Sequence, residues 1–382
     1  MSRVTRLQFL ILVLLVSFSC TENSDNNYAL FQNKHQSDIS FLDLDLNKIE
    51  FTDLPSSYLG QAKIANDTLF FVDQKFTRVL LFDQDLAYLG WKLEKGNGPN
   101  EIPISEINGF EKLSSGNFMF LGGTTDWHIF TSQFQKVNTY IMENTRQRSN
   151  LRDISPTNPV IYSFVYPKLI VRESKNRLFF NIMVQHPEFN FIDTHNEYFE
   201  QSRVLSEMDI ATGKTINIFG RFSPFYQKNG FTLNHVSLLN FDVSKVTGNF
   251  YLNFEADPLI YQFDEDFKPI QSFGEIGKDM NPNYIKLETI EDFQRAIDHE
   301  RLTEHYFTWL EYVEDGDWLF RSYSLGESDE DGLQIFKGST LVGDVKVPKG
   351  FRVIGKLGDS FISHPITDEV NDKMIIYKFK LG

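Results

Sequence analysis

The side chains best suited to ligand contact in this sequence are few and lie far apart. Asp126, Trp127 and His128 are consecutive, and Glu101 follows a glycine-rich segment. We predict these four residues as ligand-binding, although a histidine in such a stretch is more often satisfied by backbone partners. A serine–histidine–aspartate set is recognised by geometry rather than by chain order, so we assign no catalytic residue.

The glycine-rich segment before Glu101 reads Gly96-Asn97-Gly98-Pro99. It lacks the Lys-Ser/Thr pair of a phosphate-binding loop, and no predicted helix follows it. Glycines with positive φ and a proline that sets a turn explain the segment. We interpret it as a turn, which Glu101 could tie to a neighbouring part of the fold.

Acidic residues cluster at 327–332, where the sequence is Glu327-Ser328-Asp329-Glu330-Asp331-Gly332. Alternating oxygen ligands with a glycine at the bend are typical of a calcium loop, but the closing bidentate glutamate is absent. We predict no metal site and no cofactor, and a divalent cation stays as the alternative.

Cys20 is the only cysteine, so an internal disulfide is excluded. It follows Arg3, Arg6 and an apolar stretch at 9–16, the pattern of a secretory signal peptide. That stretch is shorter than the roughly 18 residues that a membrane-spanning helix needs. The segment resembles a bacterial lipoprotein signal, which implies that Cys20 is acylated. An ordinary cleaved signal is the alternative.

We therefore divide the chain into a signal peptide (1–19), a flexible tether (20–37) and one folded domain (38–382). Residues 21–27 are polar and acidic, with nothing to bury. An acidic run after the cysteine resembles the surface-export signal of Bacteroides-type bacteria. The expected location is the outer membrane, and the periplasmic and the surface-facing side both stay open.

The formal net charge is −15, and loss of Arg3 and Arg6 with the signal makes it −17. Such a chain repels nucleic-acid phosphates and anionic lipid headgroups. We therefore expect no nucleic-acid partner, and membrane attachment only through the lipid anchor.

Thr68 is a candidate modification site. Asp67-Thr68-Leu69 resembles the O-glycosylation sequon of Bacteroides-type bacteria, which implies a glycan on Thr68. A chance match is the alternative, because Thr68 also begins a predicted strand.

These residues must be positioned by strands. A turn of Asn, Asp or Gly followed by an apolar, aromatic-rich strand recurs six times, at 66–70, 116–120, 175–179, 248–252, 316–320 and 358–362. The shortest steps match a four-stranded propeller blade of ~40–50 residues, and the longer ones imply insertions. We predict an all-β, six-bladed β-propeller.

Closure of the ring needs one more strand. The last unit has strands at 351–356, 360–364 and 373–380, which is one short of four. We predict that an N-terminal strand around 40–47 completes the last blade, because an open edge would invite aggregation.

Three stretches do not repeat. Ile290, Phe293 and Ile297 share one helical stripe, so we predict one short helical insertion at 292–302. We predict a loop at 144–159, and an extended hairpin or irregular connection at 187–201. Function is to be sought in these stretches and in the surroundings of the helix at 284–304.

The turn Gly96-Asn97-Gly98-Pro99-Asn100-Glu101, placed after the first unit, resembles that of six-bladed propeller lipoproteins of Bacteroides-type bacteria. This group is related in pattern to NHL-repeat and TolB-like propellers. The resemblance implies the fold and an envelope location, and it implies no reaction.

We expect a lipid-anchored envelope propeller that binds a protein or glycan ligand through its loop face. The alternative is a hydrolase or lyase with a polar, metal-assisted site at the central channel. Three or more converging carboxylate, Asn or His side chains at one channel mouth would favour the enzyme.

Overall fold

The computed structural model describes residues 28–122, 126–141, 154–165, 168–191 and 197–381. Cys20, the signal peptide and most of the predicted loop at 144–159 therefore lie outside the described residues. Within the described part of the chain, no helix is long and apolar enough to cross a membrane.

Strands dominate the described residues. In chain order they are β1 (Gln36–Phe41), β2 (Asn47–Phe51), β3 (Gly60–Ala65), β4 (Thr68–Asp73), β5 (Val79–Phe82), β6 (Tyr88–Lys92), β7 (Glu94–Lys95), β8 (Glu101–Ile102), β9 (Ile107–Lys112), β10 (Phe118–Gly122), β11 (Asp126–Phe130), β12 (Lys136–Ile141), β13 (Tyr162–Phe164), β14 (Val171–Ser174) and β15 (Arg177–Val184). The second half continues with β16 (Leu205–Asp209), β17 (Lys214–Phe219), β18 (Leu239–Val243), β19 (Phe250–Phe254), β20 (Ile260–Phe263), β21 (Pro269–Phe273), β22 (Phe307–Val313), β23 (Trp318–Tyr323), β24 (Glu330–Lys337), β25 (Thr340–Pro348), β26 (Val353–Leu357), β27 (Ser360–Ser363), β28 (Ile366–Asp368) and β29 (Lys373–Phe379).

Apart from the short parallel pair β7 and β8, these strands form six sheets arranged as the blades of a propeller. Blades 1 to 6 contain β3–β6, β9–β12, β13–β17, β18–β21, β22–β25 and β26–β29. One strand of each blade lies at the centre, and these inner strands contact one another in a closed ring, in the order β3, β9, β14, β18, β22, β26 and back to β3. The six-bladed, all-β prediction is confirmed.

The hairpin before β4 shows how the recurring turn builds a blade. Asn66 and Asp67 have φ of 49° and 54°, the left-handed region that a tight hairpin demands. In β4, Leu69 and Phe71 face the core shared with blade 6, whereas Phe70 faces blade 2. Each such apolar side chain contributes about 1.5–3 kcal/mol on full burial. The central strands are therefore apolar on both faces.

The N-terminal part of the chain closes the ring as predicted. β2 pairs with β29 in antiparallel register, with Asn47 opposite Lys378 and Phe51 opposite Met374. The closing strand lies later than the predicted 40–47. The earlier strand β1 pairs instead in parallel with β25 of blade 5.

Residues 28–37 also lie against the propeller, so they do not belong to a flexible tether. The ring of Tyr28 lies 4.8 Å from that of Tyr261, centroid to centroid, in edge-on contact. Lys34 N donates to Ser272 O at 2.9 Å on the outer strand of blade 4. The predicted tether at 20–37 is thus shorter at its C-terminal end, because Tyr28 and Phe31 pack on aromatic residues of blade 4 and the backbone bonds to its outer strand.

The predicted helical insertion is present between β21 and β22. It consists of α3 (Ile290–Arg295), a π-helical turn (Ala296–Glu300) and α4 (Arg301–Thr303), and we call it the insertion helix, 290–303. A capping box between Thr289 and Asp292 fixes its start.

Further short helices are α1 (Glu197–Gln201) and α2 (Pro224–Asn229), with 3₁₀ turns at Tyr28–Leu30, Pro159–Ile161 and Gly230–Val236. α1 and α2 are too short to show a helical period in the sequence. α1 also replaces the end of the irregular connection predicted at 187–201.

Candidate functional site

The central channel of the propeller has two different ends. Residues just before the inner strands of blades 3 to 6, namely Lys168, Leu238, Tyr306 and Arg352, line a cavity of about 880 Å³, which we call the face cavity. Residues within the inner strands line a second cavity of only about 100 Å³. The inner strands of blades 3 to 6 therefore run from the face cavity towards the narrow end.

Insertions between strands wall the face cavity. The β15–β16 connection contributes Phe191 and Tyr198, the β17–β18 connection contributes Asn234, and the insertion helix contributes Phe293 and Arg301. Two of the three non-repeating stretches named from the sequence, 187–201 and 284–304, thus border this cavity.

A buried ion-pair cluster forms part of the cavity wall. The carboxylate of Glu255, fully buried, accepts from Arg301 Nη1 at 2.8 Å and Nη2 at 2.5 Å. Lys168 Nζ donates to the same carboxylate at 2.9 Å. Burial alone would raise the pKa of Glu255, but Arg301 and Lys168 hold it below its usual value. Burial also lowers the pKa of Lys168 to about 8, although Glu255 opposes this shift.

Arg352 enters the cavity from the loop before β26. Among the described residues its guanidinium makes no hydrogen bond or ion pair, and it lies 5.8 Å from the centre of the Trp309 ring. Burial lowers the pKa of Arg352 from its usual value, while Asp331 opposes the shift. The carboxylate of Asp331 accepts from the backbone N–H of Gly350 at 2.7 Å and of Leu325 at 3.2 Å.

Asn181, Asn234 and His235 also converge on the face cavity, and such convergence is the criterion stated above for an enzyme. Each of these three side chains has a partner within the protein. Asn181 accepts from Ile170 N at 2.8 Å, and the side chain of Asn234 donates to Phe191 O. His235 Nε2 lies 2.8 Å from Glu304. These contacts hold the cavity wall together.

The narrow end of the channel is filled by paired charges, which we call the axial cluster. Arg172 Nε donates to Asp242 at 2.6 Å and its Nη2 to Glu311 at 2.8 Å. Lys63 donates to Glu111 and, at 2.7 Å, to a backbone oxygen. Burial alone would lower the pKa of Arg172, but Asp242 and Glu311 hold it above its usual value. Five blades thus contribute charges that satisfy one another.

Glu101 lies outside both cavities and organises the glycine-rich turn. Its Oε2 accepts from Gly98 N at 2.8 Å, and a Cβ added at Gly96 would lie 1.9 Å from the same oxygen. A side chain at position 96 would therefore require the Glu101 carboxylate to move away from the turn. The turn is also tied to blade 2, where Lys136 N donates to Pro99 O at 2.9 Å. The ligand role of Glu101 stays a prediction.

Asp126, Trp127 and His128 lie on β11 and do not line the face cavity. Trp127 is buried, 5.9 Å from Phe164 between ring centres and 5.8 Å from Phe180, and both phenylalanines line the cavity. His128 Nδ1 lies 3.1 Å from Thr139 Oγ1. Burial, assisted by Lys136, lowers the pKa of His128 to about 4. Trp127 therefore lies directly behind the cavity wall, and the ligand roles of Asp126, Trp127 and His128 stay predictions.

The remaining predicted sites are distant from the cavity or outside the described residues. Thr68 is half-buried at the start of β4, with its Oγ1 3.3 Å from Asn66 O. Acylation of Cys20 and glycosylation of Thr68 stay predictions. In the described ranges, no group of three or more His, Cys, Asp or Glu residues could hold a metal ion.

Sequence reasoning missed the charged residues of the face cavity: Lys168, Glu255, Arg301 and Arg352. They come from four separate regions, so no spacing marks them. One signal was present, because Lys168 and Arg352 stand just before inner strands, where side chains reach the same channel end.

No protein-family model and no functionally curated protein matches this sequence. Among solved structures, a member of the DUF4221 family from Bacteroides vulgatus matches with a TM-score of 0.64 at 13% identity, over 88% of this chain and 98% of that one. A protein from Bacteroides fragilis, provisionally described as exported, matches with a TM-score of 0.53 at 14% identity, over 91% and 98%. At such identities the similarity shows the propeller fold.

Proposed function

We propose that this protein is an envelope propeller that binds a ligand, a glycan or a protein segment, in the face cavity. The observation that carries the proposal is the cavity itself, about 880 Å³ in volume and walled by the insertions of blades 3 to 5. A cleft of this size with apolar walls and a few convergent polar groups is the usual form of a binding site.

The proposed location is the outer membrane, with Cys20 acylated. Support comes from the signal-peptide pattern that ends at Cys20 and from the similarity to the Bacteroides fragilis protein that is provisionally described as exported. Labelling cells with radioactive palmitate tests this part. Wild type should be labelled and Cys20→Ala should not, and equal labelling of the two would contradict the anchor.

The binding role is tested by blocking the cavity mouth. Gln294 is exposed on the insertion helix and borders the cavity, whereas His299 is exposed on the same helix and does not. A glycan array and a thermal-shift screen would be run with wild type, Gln294→Trp and the control His299→Trp. A ligand should be retained by wild type and the control and lost by Gln294→Trp. Retention by all three would place binding elsewhere.

A further inference from the structure

The charges that face the cavity do not balance. Lys168, Arg301 and Arg352 line it as cations, against the single carboxylate of Glu255. Other nearby carboxylates are already engaged, because Glu304 bonds to His235 at 2.8 Å and Asp331 accepts from two backbone N–H groups. In a chain of net charge −15, an excess of cations at one cavity requires a reason.

Among the described residues, Arg352 is the cation in the face cavity that has no carboxylate partner. Lys168 and Arg301 both donate to Glu255, which also accepts from Leu238 N at 3.2 Å. The guanidinium of Arg352 has no such acceptor within the described ranges, although it is half-buried beside the Trp309 ring. The N–H donors of Arg352 are therefore open to a ligand, and an oxyanion would satisfy two of them with parallel charge-assisted bonds.

The apolar part of the cavity wall indicates what the rest of such a ligand looks like. Phe191, Tyr198, Phe293 and Tyr306 present rings or apolar edges to the space around the cations. Rings of this kind stack on flat apolar groups and on the faces of sugar rings. Volume and lining together suit a molecule of one or two rings.

We propose that the face cavity binds an organic anion, in which a carboxylate or similar oxyanion meets Arg352 and a ring-shaped body packs against the aromatic wall. This inference rests on the proposed binding function and adds the chemical class of the ligand. Acidic sugars are the form that a glycan ligand would take. Arg352 is the residue that selects the anion, and the Lys168–Glu255–Arg301 cluster holds the wall beside it.

Two fluorescent probes with the same rings test the inference: anilinonaphthalene sulfonate, which is anionic, and phenylnaphthylamine, which is neutral. Wild type should bind the sulfonate at least about tenfold more tightly, as expected for charge-assisted hydrogen bonds. Arg352→Gln should abolish the preference while still binding the neutral probe. The control Arg295→Gln removes a cation from the exposed side of the insertion helix and should keep the preference.

The outcomes separate this inference from the binding function. If wild type binds both probes equally and Gln294→Trp binds neither, the anion inference is overturned and the cavity remains a binding site. Binding that Gln294→Trp leaves unchanged would overturn both. A preference that survives in Arg352→Gln would also overturn the anion inference.

Salt provides a measurement that needs no variant. In wild type, added sodium chloride should lower the affinity for the sulfonate probe and leave the affinity for the neutral probe unchanged. Glucuronate should displace the sulfonate probe and glucose should not, if the natural ligand is an acidic sugar. An affinity for the sulfonate that is independent of salt would contradict the role of Arg352.

Discussion

The two ends of the central channel are built from the same six strands and have opposite character. At the axial cluster, side chains from neighbouring inner strands are close enough to pair, as Arg172 does with Asp242 and Glu311. At the face cavity, the insertions of blades 3 to 5 widen the mouth, and Arg352 is left without an acceptor in the described part of the chain. The paired charges of the axial cluster stabilise the fold, whereas the guanidinium of Arg352, unpaired within the described ranges, is available to bind a ligand.

The largest expected effect is at the axial cluster. Arg172→Met would leave the carboxylates of Asp242 and Glu311 buried without their cation, and loss of one partner of a buried pair costs about 3–5 kcal/mol. Urea unfolding should show this decrease in the free energy of unfolding. Lys356→Met, which removes an exposed pair with Asp315, is the control and should change the free energy by less than about 1 kcal/mol. Equal effects of the two substitutions would contradict the claim that the paired charges of the axial cluster stabilise the fold.

The next effect is at the wall of the face cavity. Glu255→Gln would leave Lys168 and Arg301 without their shared carboxylate, and we expect a loss of about 3 kcal/mol in the same unfolding measurement. The excess of positive charge would increase, so the sulfonate probe should bind more tightly to this variant than to wild type. Weaker binding would mean that the carboxylate itself contacts the ligand.

A smaller effect is expected from pH. The pKa of Lys168 is lowered to about 8 by burial, so this cation is present at pH 7 and lost at pH 9, where Glu255 and both cavity arginines keep their charges. The affinity for the sulfonate probe should therefore fall about fivefold over this interval. In Lys168→Met the affinity should not change with pH, and a slope that persists there would assign the titration to another group.

The smallest effect on stability is expected at Arg352. Arg352→Met removes a cation that makes no ion pair within the described residues, so the free energy of unfolding should change by less than about 1 kcal/mol. Since Arg172→Met is the same substitution at the other channel end, the two variants form a matched pair. A loss at Arg352 as large as that at Arg172 would mean that Arg352 holds the fold together.

The fold could be predicted because its signals are local. Every blade contains a turn such as Asn66-Asp67 followed by an aromatic-rich strand. Each of these short segments predicts a hairpin from its own residues, whatever lies elsewhere in the chain. Closure by the N-terminal strand followed from counting strands in the last unit. The attachment of residues 28–37 was missed: its backbone hydrogen bonds to the edge of blade 4 leave no mark in the composition, and the aromatic residues Tyr28 and Phe31 were assigned to the tether.

The site could be predicted only in part. The non-repeating stretches 187–201 and 284–304 do wall the cavity, since insertions in a propeller collect on one face. The charges inside it come from Lys168, Glu255 and Arg352, which the fold alone brings together. Asp126, Trp127 and His128 were predicted as a site because they are consecutive polar and aromatic residues. They are consecutive because they belong to one strand of blade 2, β11.

The most direct test is a crystal structure of the protein with para-bromobenzoate, whose bromine is located by its anomalous scattering. Our account predicts one strong bromine peak inside the face cavity, with the carboxylate at Arg352 and the ring against Tyr306 or Phe293. A peak at the axial cluster or only on the outer surface, with the face cavity empty, would contradict it.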